Sequence, residues 1–150
     1  MGTINTLGSE RAAVAAVIDP DNNGAAAYTS AYVSMSTFNQ VLAIVQTGTL
    51  GSSATVDFKL VQATDSSGTS SKDISGKAIT QLVKASNDDD QAVINCRSEE
   101  LDVANGFDYV AMTMTVGTAT SDCSAIMLGM TPRYAPASDN DLASVQEIVS

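Results

Sequence analysis

Apolar and polar residues alternate with period two along much of this chain, and this pattern predicts β-strands with one buried and one solvent-facing side. In residues 109–116 the apolar positions run from Val110 to Val116, and alanine or threonine occupies the positions between them. Residues 55–62 repeat the pattern around Phe58. Serine, glycine and aspartate cluster between such segments. The chain is therefore predicted to be an all-β protein.

Residues 40–47 differ because apolar side chains fall on both sides of the predicted strand. Val41 lies on one side, whereas Leu42 and Ile44 lie on the other. Such a strand is expected to be central in its sheet, or to be covered on both faces by a neighbouring layer or subunit. The connection to the next strand is rich in glycine and serine and predicts a hairpin over residues 40–65. We expect the rest of the chain to be organised around this hairpin.

A second hairpin is predicted nearer the carboxyl end. Residues 122–134 place Ile126, Leu128 and Met130 on one face, and a short turn containing glycine and threonine separates them from residues 109–116. Two alternating segments joined by a short turn are typical of paired antiparallel strands.

The beginning of the folded region is ambiguous in composition. Residues 12–18 are rich in alanine and valine, and we interpret them as a short strand that stops at Asp19 and Pro20. The following DPDNNG, residues 19–24, is the strongest turn signal in the chain. A turn is therefore predicted there.

The same turn contains a weak calcium candidate. Asp19, Asp21 and Asn23, followed by Gly24, match the opening of a calcium-binding loop. The twelfth position of such a loop needs a carboxylate that binds through both oxygens, and Ser30 occupies it here. A plain turn is favoured over a calcium site.

The carboxyl end predicts a short helix. Ser138, three residues before Asp141, is a helix-start signal, and Leu142, Val145 and Ile148 then follow at helical spacing. So narrow an apolar stripe is marginal in isolation and should pack on the sheet or on another subunit. These three apolar residues are the predicted partner-binding residues.

The domain organisation follows from these elements. Residues 1–11 are polar and are predicted to be a flexible N-terminal arm. Residues 12–136 form one β domain, and residues 137–150 form the C-terminal tail with its short helix.

Composition excludes several partners. The chain of 150 residues has 17 acidic and 7 basic residues, a net charge of −10, so a surface that neutralises a row of phosphates is not expected. We expect no secretory signal and no membrane association, since no apolar run approaches the ~18 residues of a membrane span. Aromatic residues make up only 5% of the chain, so the core is modest and a homo-oligomer, most simply a trimer, is predicted.

Catalytic chemistry is nearly absent from the sequence. The chain has no histidine, which removes the usual base and the common zinc sites. A Ser75–Lys77 pair has nothing to orient it, and the carboxylates in residues 99–102 lack the aromatic platforms of sugar-cleaving sites. Cys96 and Cys123 follow no motif and are interpreted as reduced core residues. No enzyme activity and no cofactor is predicted.

Longer stretches resemble a known group of proteins. Five segments carry the resemblance, and it spans residues 14–136. They are VLAIVQTGTLGSSATVDFKLVQATDSSG at 41–68, KDISGKAITQL at 72–82, VINCRSEELDV at 93–103, VGTATS at 116–121 and RYAP at 133–136. Together they are similar to a family of small virion proteins encoded among the head genes of tailed bacteriophages. The arm and the tail match nothing in that family.

The resemblance implies a single-domain antiparallel β-sandwich, jelly-roll-like, in a head accessory protein. It implies a decoration or cement protein that is made in the host cytoplasm, binds the major capsid protein on the outside of the head and stabilises it. The alternatives are another head–tail or tail component, and a carbohydrate- or receptor-binding β-sandwich.

Overall fold

The structure, a computed structural model, describes residues 5–150, and ten β-strands make up half of them. They are β1 (Ala12–Asn23), β2 (Ala27–Thr29), β3 (Val33–Ser34), β4 (Phe38–Thr47), β5 (Thr55–Ala63), β6 (Lys72–Ala78), β7 (Leu82–Val83), β8 (Gln91–Arg97), β9 (Tyr109–Gly117) and β10 (Ser121–Pro132). The strands confirm the predicted all-β class.

The strands form two antiparallel sheets. Sheet A has four strands in the order β1-β10-β4-β8, and sheet B has six, with β2-β9-β5-β6 as its main path, β3 beside β9 and β7 beside β5. The largest fully buried side chains come from both sheets and include Phe38, Phe58, Met112 and Met127. The fold is therefore an antiparallel β-sandwich of the jelly-roll type, as the resemblance implied.

The predicted hairpin over residues 40–65 is wrong. Both strands exist, but β4 pairs with β10 and β8 in sheet A, whereas β5 pairs with β9, β6 and β7 in sheet B. The connection between them crosses from one sheet to the other. The prediction that β4 is a central strand is confirmed, because it has a partner on each side.

The second predicted hairpin is wrong for the same reason, since β9 belongs to sheet B and β10 to sheet A. The two crossovers pack against each other. Asp122 donates its N–H to the carbonyl of Thr49 at 3.0 Å and accepts the N–H of Gly48 at 2.8 Å. A Cβ on Gly51 would lie only 2.4 Å from the carbonyl oxygen of Thr120, so the close approach requires glycine here.

The predicted turn at residues 19–24 is also wrong, because β1 continues through it to Asn23. The register moves from Ile18 opposite Ala125 to Asp21 opposite Cys123, so one extra residue forms a bulge that contains Pro20. Strand β1 is the edge of sheet A, where a proline removes no ladder hydrogen bond from a second neighbour. The predicted strand at residues 12–18 is confirmed, with its end five residues later.

The two ends of the described chain meet beside sheet A. A helical turn, Gly8–Arg11, contacts a 3-10 helix, Ala137–Asn140, and both contact β1 and β10. The rest of the predicted arm, residues 1–4, lies outside the described residues. The C-terminal helix is present only as this 3-10 helix and ends before Leu142, so the apolar spacing beyond it is not helical.

Candidate interaction surface

The outer face of sheet A, which points away from the core, carries a patch of apolar residues to which all four strands contribute. Residues that are paired in an antiparallel register project to the same side of the sheet, so the register gives the rows of this face. From one end to the other, the rows are Ser124–Gln46–Gln91, then Val17–Ile126–Ile44–Val93, then Val14–Leu128–Leu42–Asn95, and finally Ala12–Met130–Gln40–Arg97.

The eight largest apolar side chains of these rows are called the apolar outer face. They are Val14, Val17, Leu42, Ile44, Val93, Ile126, Leu128 and Met130. All except Val93 are partly buried by neighbours on the same sheet, and Val93 is 53% exposed. Contiguous apolar surface on a monomer marks an interaction site more often than scattered single residues do.

Local sequence explains why this face points outward. In β4, Val41, Ala43 and Val45 are at most 2% exposed and face the core, which leaves Leu42 and Ile44 on the other side. In β1 a second bulge, at the Val14/Ala16 step, keeps both Val14 and Val17 on the outer face.

The charges of the chain lie around this face and not on it. No carboxylate occurs in the four rows, and their single charged residue, Arg97, pairs with Glu99 at 3.3 Å. We call the row of Gln46 the crossover end, because both crossovers lie beyond it, and the row of Gln40 the terminal end. The charges near the two ends differ. The crossover end adjoins Asp19, Asp21, Asp89, Asp90 and Asp122, whereas the terminal end carries both signs, with Arg11 beside Glu10 and Arg97 paired with Glu99.

The predicted partner-binding residues lie beside this sheet without forming one stripe. Leu142 donates its N–H to the carbonyl of Val14 at 2.9 Å, and Asp141 accepts the N–H of Val14 at 2.6 Å, so the tail is fixed to the free edge of β1. Val145 is partly buried, whereas Ile148 is 49% exposed. The tail beyond Leu142 therefore carries exposed apolar surface.

The three calcium candidates lie on extended backbone and not in a loop that wraps a common centre. Asp19 and Asp21 are exposed, and the side-chain amide of Asn23 donates to the carbonyls of Asp21 at 3.0 Å and Cys123 at 2.7 Å. Asn23 therefore holds the bulged strand to β10. No group of three or more aspartate, glutamate or cysteine side chains in residues 5–150 is placed to hold a metal ion.

The carboxylates in residues 99–102 are held in separate ion pairs. Lys77 contacts Glu100 at 2.8 Å and Lys72 contacts Asp102 at 2.5 Å. These lysine hydrogen bonds lower the pKa of both carboxyl groups below their usual values. Because Lys77 belongs to the pair with Glu100, it is not oriented toward Ser75 as a base. The two ion pairs instead connect sheet B to the loop after β8.

Both cysteines are reduced and buried, as predicted. Cys96 lies opposite Val41 and Cys123 opposite Thr47, so they are six positions apart along β4, about 20 Å at ~3.3 Å per residue. This separation excludes a disulfide between them. Burial raises the pKa of Cys96 to about 11, with the nearby Glu100 charge adding to the shift, and burial also raises the pKa of Cys123. Neither thiol is activated as a nucleophile.

The interior of the described chain contains no polar side chain left without a hydrogen-bond partner. Every buried side-chain nitrogen and oxygen among the described residues has a hydrogen-bond partner. Ser121, for example, accepts the N–H of Gly51 at 3.0 Å and donates to the carbonyl of Ala119 at 3.1 Å. None of the described helices is long and apolar enough to cross a membrane.

The period-two pattern indicated apolar residues of the outer face on single strands, but it did not indicate which strands are neighbours. Leu42 and Ile44 were singled out on one strand and Ile126, Leu128 and Met130 on another, because both strands show period two. That β4 and β10 are neighbours in one sheet follows only from the strand pairing. Val14, Val17 and Val93 gave no separate signal.

The fold and this surface define the class of the chain as an antiparallel β-sandwich module. No protein-family model and no curated protein matches the sequence. Among solved structures, a Broad Bean Stain Virus chain is similar, with 11% identity and a TM-score of 0.47 over 90% of this chain and 93% of that chain. A Triatoma Virus chain has 9% identity and a TM-score of 0.46 over 91% and 72% of the two chains.

A family 35 carbohydrate-binding module from an environmental isolate is similar as well, with 15% identity and a TM-score of 0.37 over 81% of this chain and 77% of that chain. Identities and TM-scores this low assign no function to the chain.

Proposed function

We propose that this chain is a non-catalytic structural protein of a virion, a decoration or cement protein on the outside of a tailed-phage head. The observation that carries the proposal is an apolar outer face without carboxylates on a chain whose net charge is −10. A surface of this composition is suited to burial against protein, while the acidic remainder stays in solvent. The resemblance of residues 14–136 to small phage head proteins supports the virion as the place of assembly.

The proposed partner is the major capsid protein, and the corner where the chain ends meet is the proposed attachment site. Leu7 and Ile148 are each 49% exposed, and Tyr134 and Val149 are 86% and 84% exposed. Leu7 precedes the helical turn that contacts the 3-10 helix, so arm and tail leave the body close together. An arm and a tail that start close together can bind adjacent shell subunits, and several weak contacts of this kind add up.

A carbohydrate-binding sandwich is the alternative from another class, and the aromatic residues do not favour it. A site that binds sugar rings by stacking needs exposed aromatic side chains. In the described chain the phenylalanines are buried. Tyr28 donates its hydroxyl to the carbonyl of Gly24 at 3.0 Å, and Tyr32 packs on Gly68. Tyr134 is the one aromatic residue among the large, exposed hydrophobic side chains, and a lone ring is a poor platform.

The test of this proposal is reconstitution on particles that lack the protein. Purified wild-type protein is added to such heads, unbound protein is removed by sedimentation, and copies per head are counted by cryo-EM and quantitative gel. The expected result is saturation at a regular lattice of sites on the outer shell. Absence of binding, or binding only at the unique connector vertex, would overturn the decoration proposal.

Two truncations locate the attachment. Deletion of residues 1–11 and deletion of residues 143–150 are each expected to leave a folded protein with reduced occupancy. The second deletion keeps the contact between Leu142 and Val14 and so preserves the edge of sheet A. Full occupancy by both truncated forms would show that the corner does not attach the protein to the shell.

A further inference from the structure

We propose that two copies of this chain pack the apolar outer faces of their A sheets against each other about a two-fold axis that runs across the strands. The inference concerns the free protein in solution. It goes beyond the proposed function, and its failure would leave the binding to phage heads untouched.

The charge distribution favours a second copy as the occupant. Two chains of net charge −10 repel wherever carboxylates meet, but the four rows of the outer face contain none. The outer face of sheet B offers no such region, because Asp57 and Lys59 lie on it, opposite Thr115 and Thr113 of β9. Contact through sheet A is therefore the arrangement that covers apolar surface with the least repulsion.

The end charges select the direction of the axis. A two-fold axis along the strands would place β1 of one copy over β8 of the other, with the two crossover ends together and the two terminal ends together. Arg11 would then meet Arg97, and Asp21 would meet Asp89. An axis across the strands reverses the ends. The acidic crossover end of each copy then lies over the end of its partner that carries the two arginines. Asp89 is near Arg97 at one edge and Asp21 is near Arg11 at the other, while Glu99 and Glu10 lie beside these arginines in their own chain. Electrostatic complementarity of this kind fixes orientation more than it adds affinity.

The area of the outer face of sheet A limits the affinity of the dimer. Four strands at ~4.8 Å spacing span ~19 Å. The seven paired positions along β4 and β8 span ~23 Å at ~3.3 Å per residue. The product is about 440 Å² per copy, or about 900 Å² for the pair before rim contacts, which is at the low end of specific interfaces. We therefore expect a dimer with a Kd on the order of micromolar.

Symmetry favours two copies over the trimer predicted from the sequence. A two-fold axis covers a single patch with the same patch of the partner, whereas a ring of three needs a second, different surface that complements the first. The outer face of sheet B, with Thr113, Thr115, Asp57 and Lys59, is polar and does not complement the apolar outer face.

Sedimentation equilibrium of the full chain tests the dimer. Wild-type protein is expected to shift from monomer at about 1 μM to dimer at about 100 μM. Val93→Asp is the main variant, because Val93 is already 53% exposed and the change does not bury a charge in the monomer. It should weaken association at least tenfold. The matched control, Thr113→Asp on the outer face of sheet B, should behave as wild type.

A charge-swap cycle tests the orientation and the identity of the partner together. Arg97→Glu and Asp89→Lys should each weaken the dimer, and the double variant should restore it, because each new charge again faces its opposite on the second copy. Melting curves of the three variants show that the monomer remains folded. Restoration requires that the partner be the same chain.

Four results would overturn the inference. They are a wild-type monomer at about 100 μM, a wild-type trimer, full association of Val93→Asp, and a double charge variant no stronger than the single ones. Raising the salt concentration should strengthen the dimer by screening the net charge, so a dimer that salt weakens would also contradict an interface that is mainly apolar.

Discussion

The outer faces of the two sheets show opposite chemistry on one scaffold. On sheet B, Thr113 lies between Thr29 and Lys59, and the hydroxyls of Thr29 and Thr113 are 3.2 Å apart. On sheet A, the equivalent position in the middle of the sheet holds Ile44 beside Ile126. Both sheets bury their inner faces equally well, so the stability of the monomer does not explain the difference. The apolar residues of sheet A are available for assembly.

This difference bears on two expectations. Apolar residues on both sides of β4 predicted a central strand, or a strand covered on both faces, and the structure shows a central strand that the sandwich covers on one face. The uncovered side is what a partner subunit would complete. In β9, by contrast, the alternation of Met112 and Met114 with Thr113 predicted one dry and one wet face, and the structure confirms it.

The largest expected effect is a loss of stability when a buried position of β5 is changed, compared with an exposed position beside it. Phe58 is 1% exposed, and Phe58→Asp buries a charge without a partner at the centre of the core. The expected cost is above about 4 kcal/mol, a large part of the total stability of a small domain. Circular dichroism should show no cooperative thermal transition. The neighbouring Asp57 is exposed, and Asp57→Asn should melt within a few degrees of wild type; equal behaviour of the two variants would refute the assignment of faces.

The next effect concerns the crossovers that join the two sheets. Gly51→Ala places a Cβ 2.4 Å from the carbonyl oxygen of Thr120 and 2.7 Å from the Cβ of Ala119, so the two crossovers must separate. The expected destabilisation is about 1–3 kcal/mol, or roughly 2–4 °C in Tm for each kcal/mol. Calorimetry measures it. Gly8→Ala is the control, because nothing lies within 4 Å of its added Cβ; an unchanged Tm for Gly51→Ala would mean that these crossovers do not touch.

A smaller effect is expected when the chemistry of sheet A is transferred to sheet B. Thr113→Ile with Thr115→Ile keeps β-branched residues in β9 and gives the second sheet an apolar outer side. A chain with two such faces can grow beyond a closed pair, so sedimentation velocity should show species larger than a dimer. The reciprocal variant, Ile44→Thr with Ile126→Thr, should instead remain monomeric. A failure of the first variant to form larger species would indicate that apolar character alone does not drive association.

The smallest effect is the pH dependence of one ion pair on the side of sheet B. Lys77 and the N–H of Arg97 lower the pKa of Glu100 below its usual 4.5 in the folded state. The pair therefore stabilises the fold above about pH 4.5, and this contribution is lost as the pH falls through the lower folded-state pKa. Tm of wild type should exceed that of Glu100→Gln slightly at pH 7, and the two should converge near pH 3. A difference that is constant with pH would exclude a titrating pair.

Local patterns were enough to identify the strands and their inner faces. Period two placed Val110, Met112, Met114 and Val116 inward, and all four are at most 2% exposed. On β8, Ile94 and Cys96 show the same spacing of two and share a buried side. These predictions succeed because the side-chain direction in a strand depends only on the local backbone.

Segments whose structure depends on distant contacts were predicted less well. The turn signal at Asp19 and Pro20 yields to the ladder between β1 and β10, which continues through a bulge. The helical spacing of Leu142 and Val145 yields to hydrogen bonds between the tail and Val14 on the edge of β1. In both places a neighbouring strand offers backbone hydrogen bonds that outweigh local propensity.

By itself, the sequence determined the all-β class, the positions of the long strands β4, β5, β9 and β10, and the presence of apolar residues on both sides of β4. Only the tertiary structure decided that β4 and β5 belong to different sheets, that β10 lies beside β4, and that Ile44 and Ile126 therefore share one open face. The physical reason is that a crossover and a hairpin leave the same period-two pattern in the strands they join. Which strands exchange hydrogen bonds is settled by packing between residues that are distant in the chain.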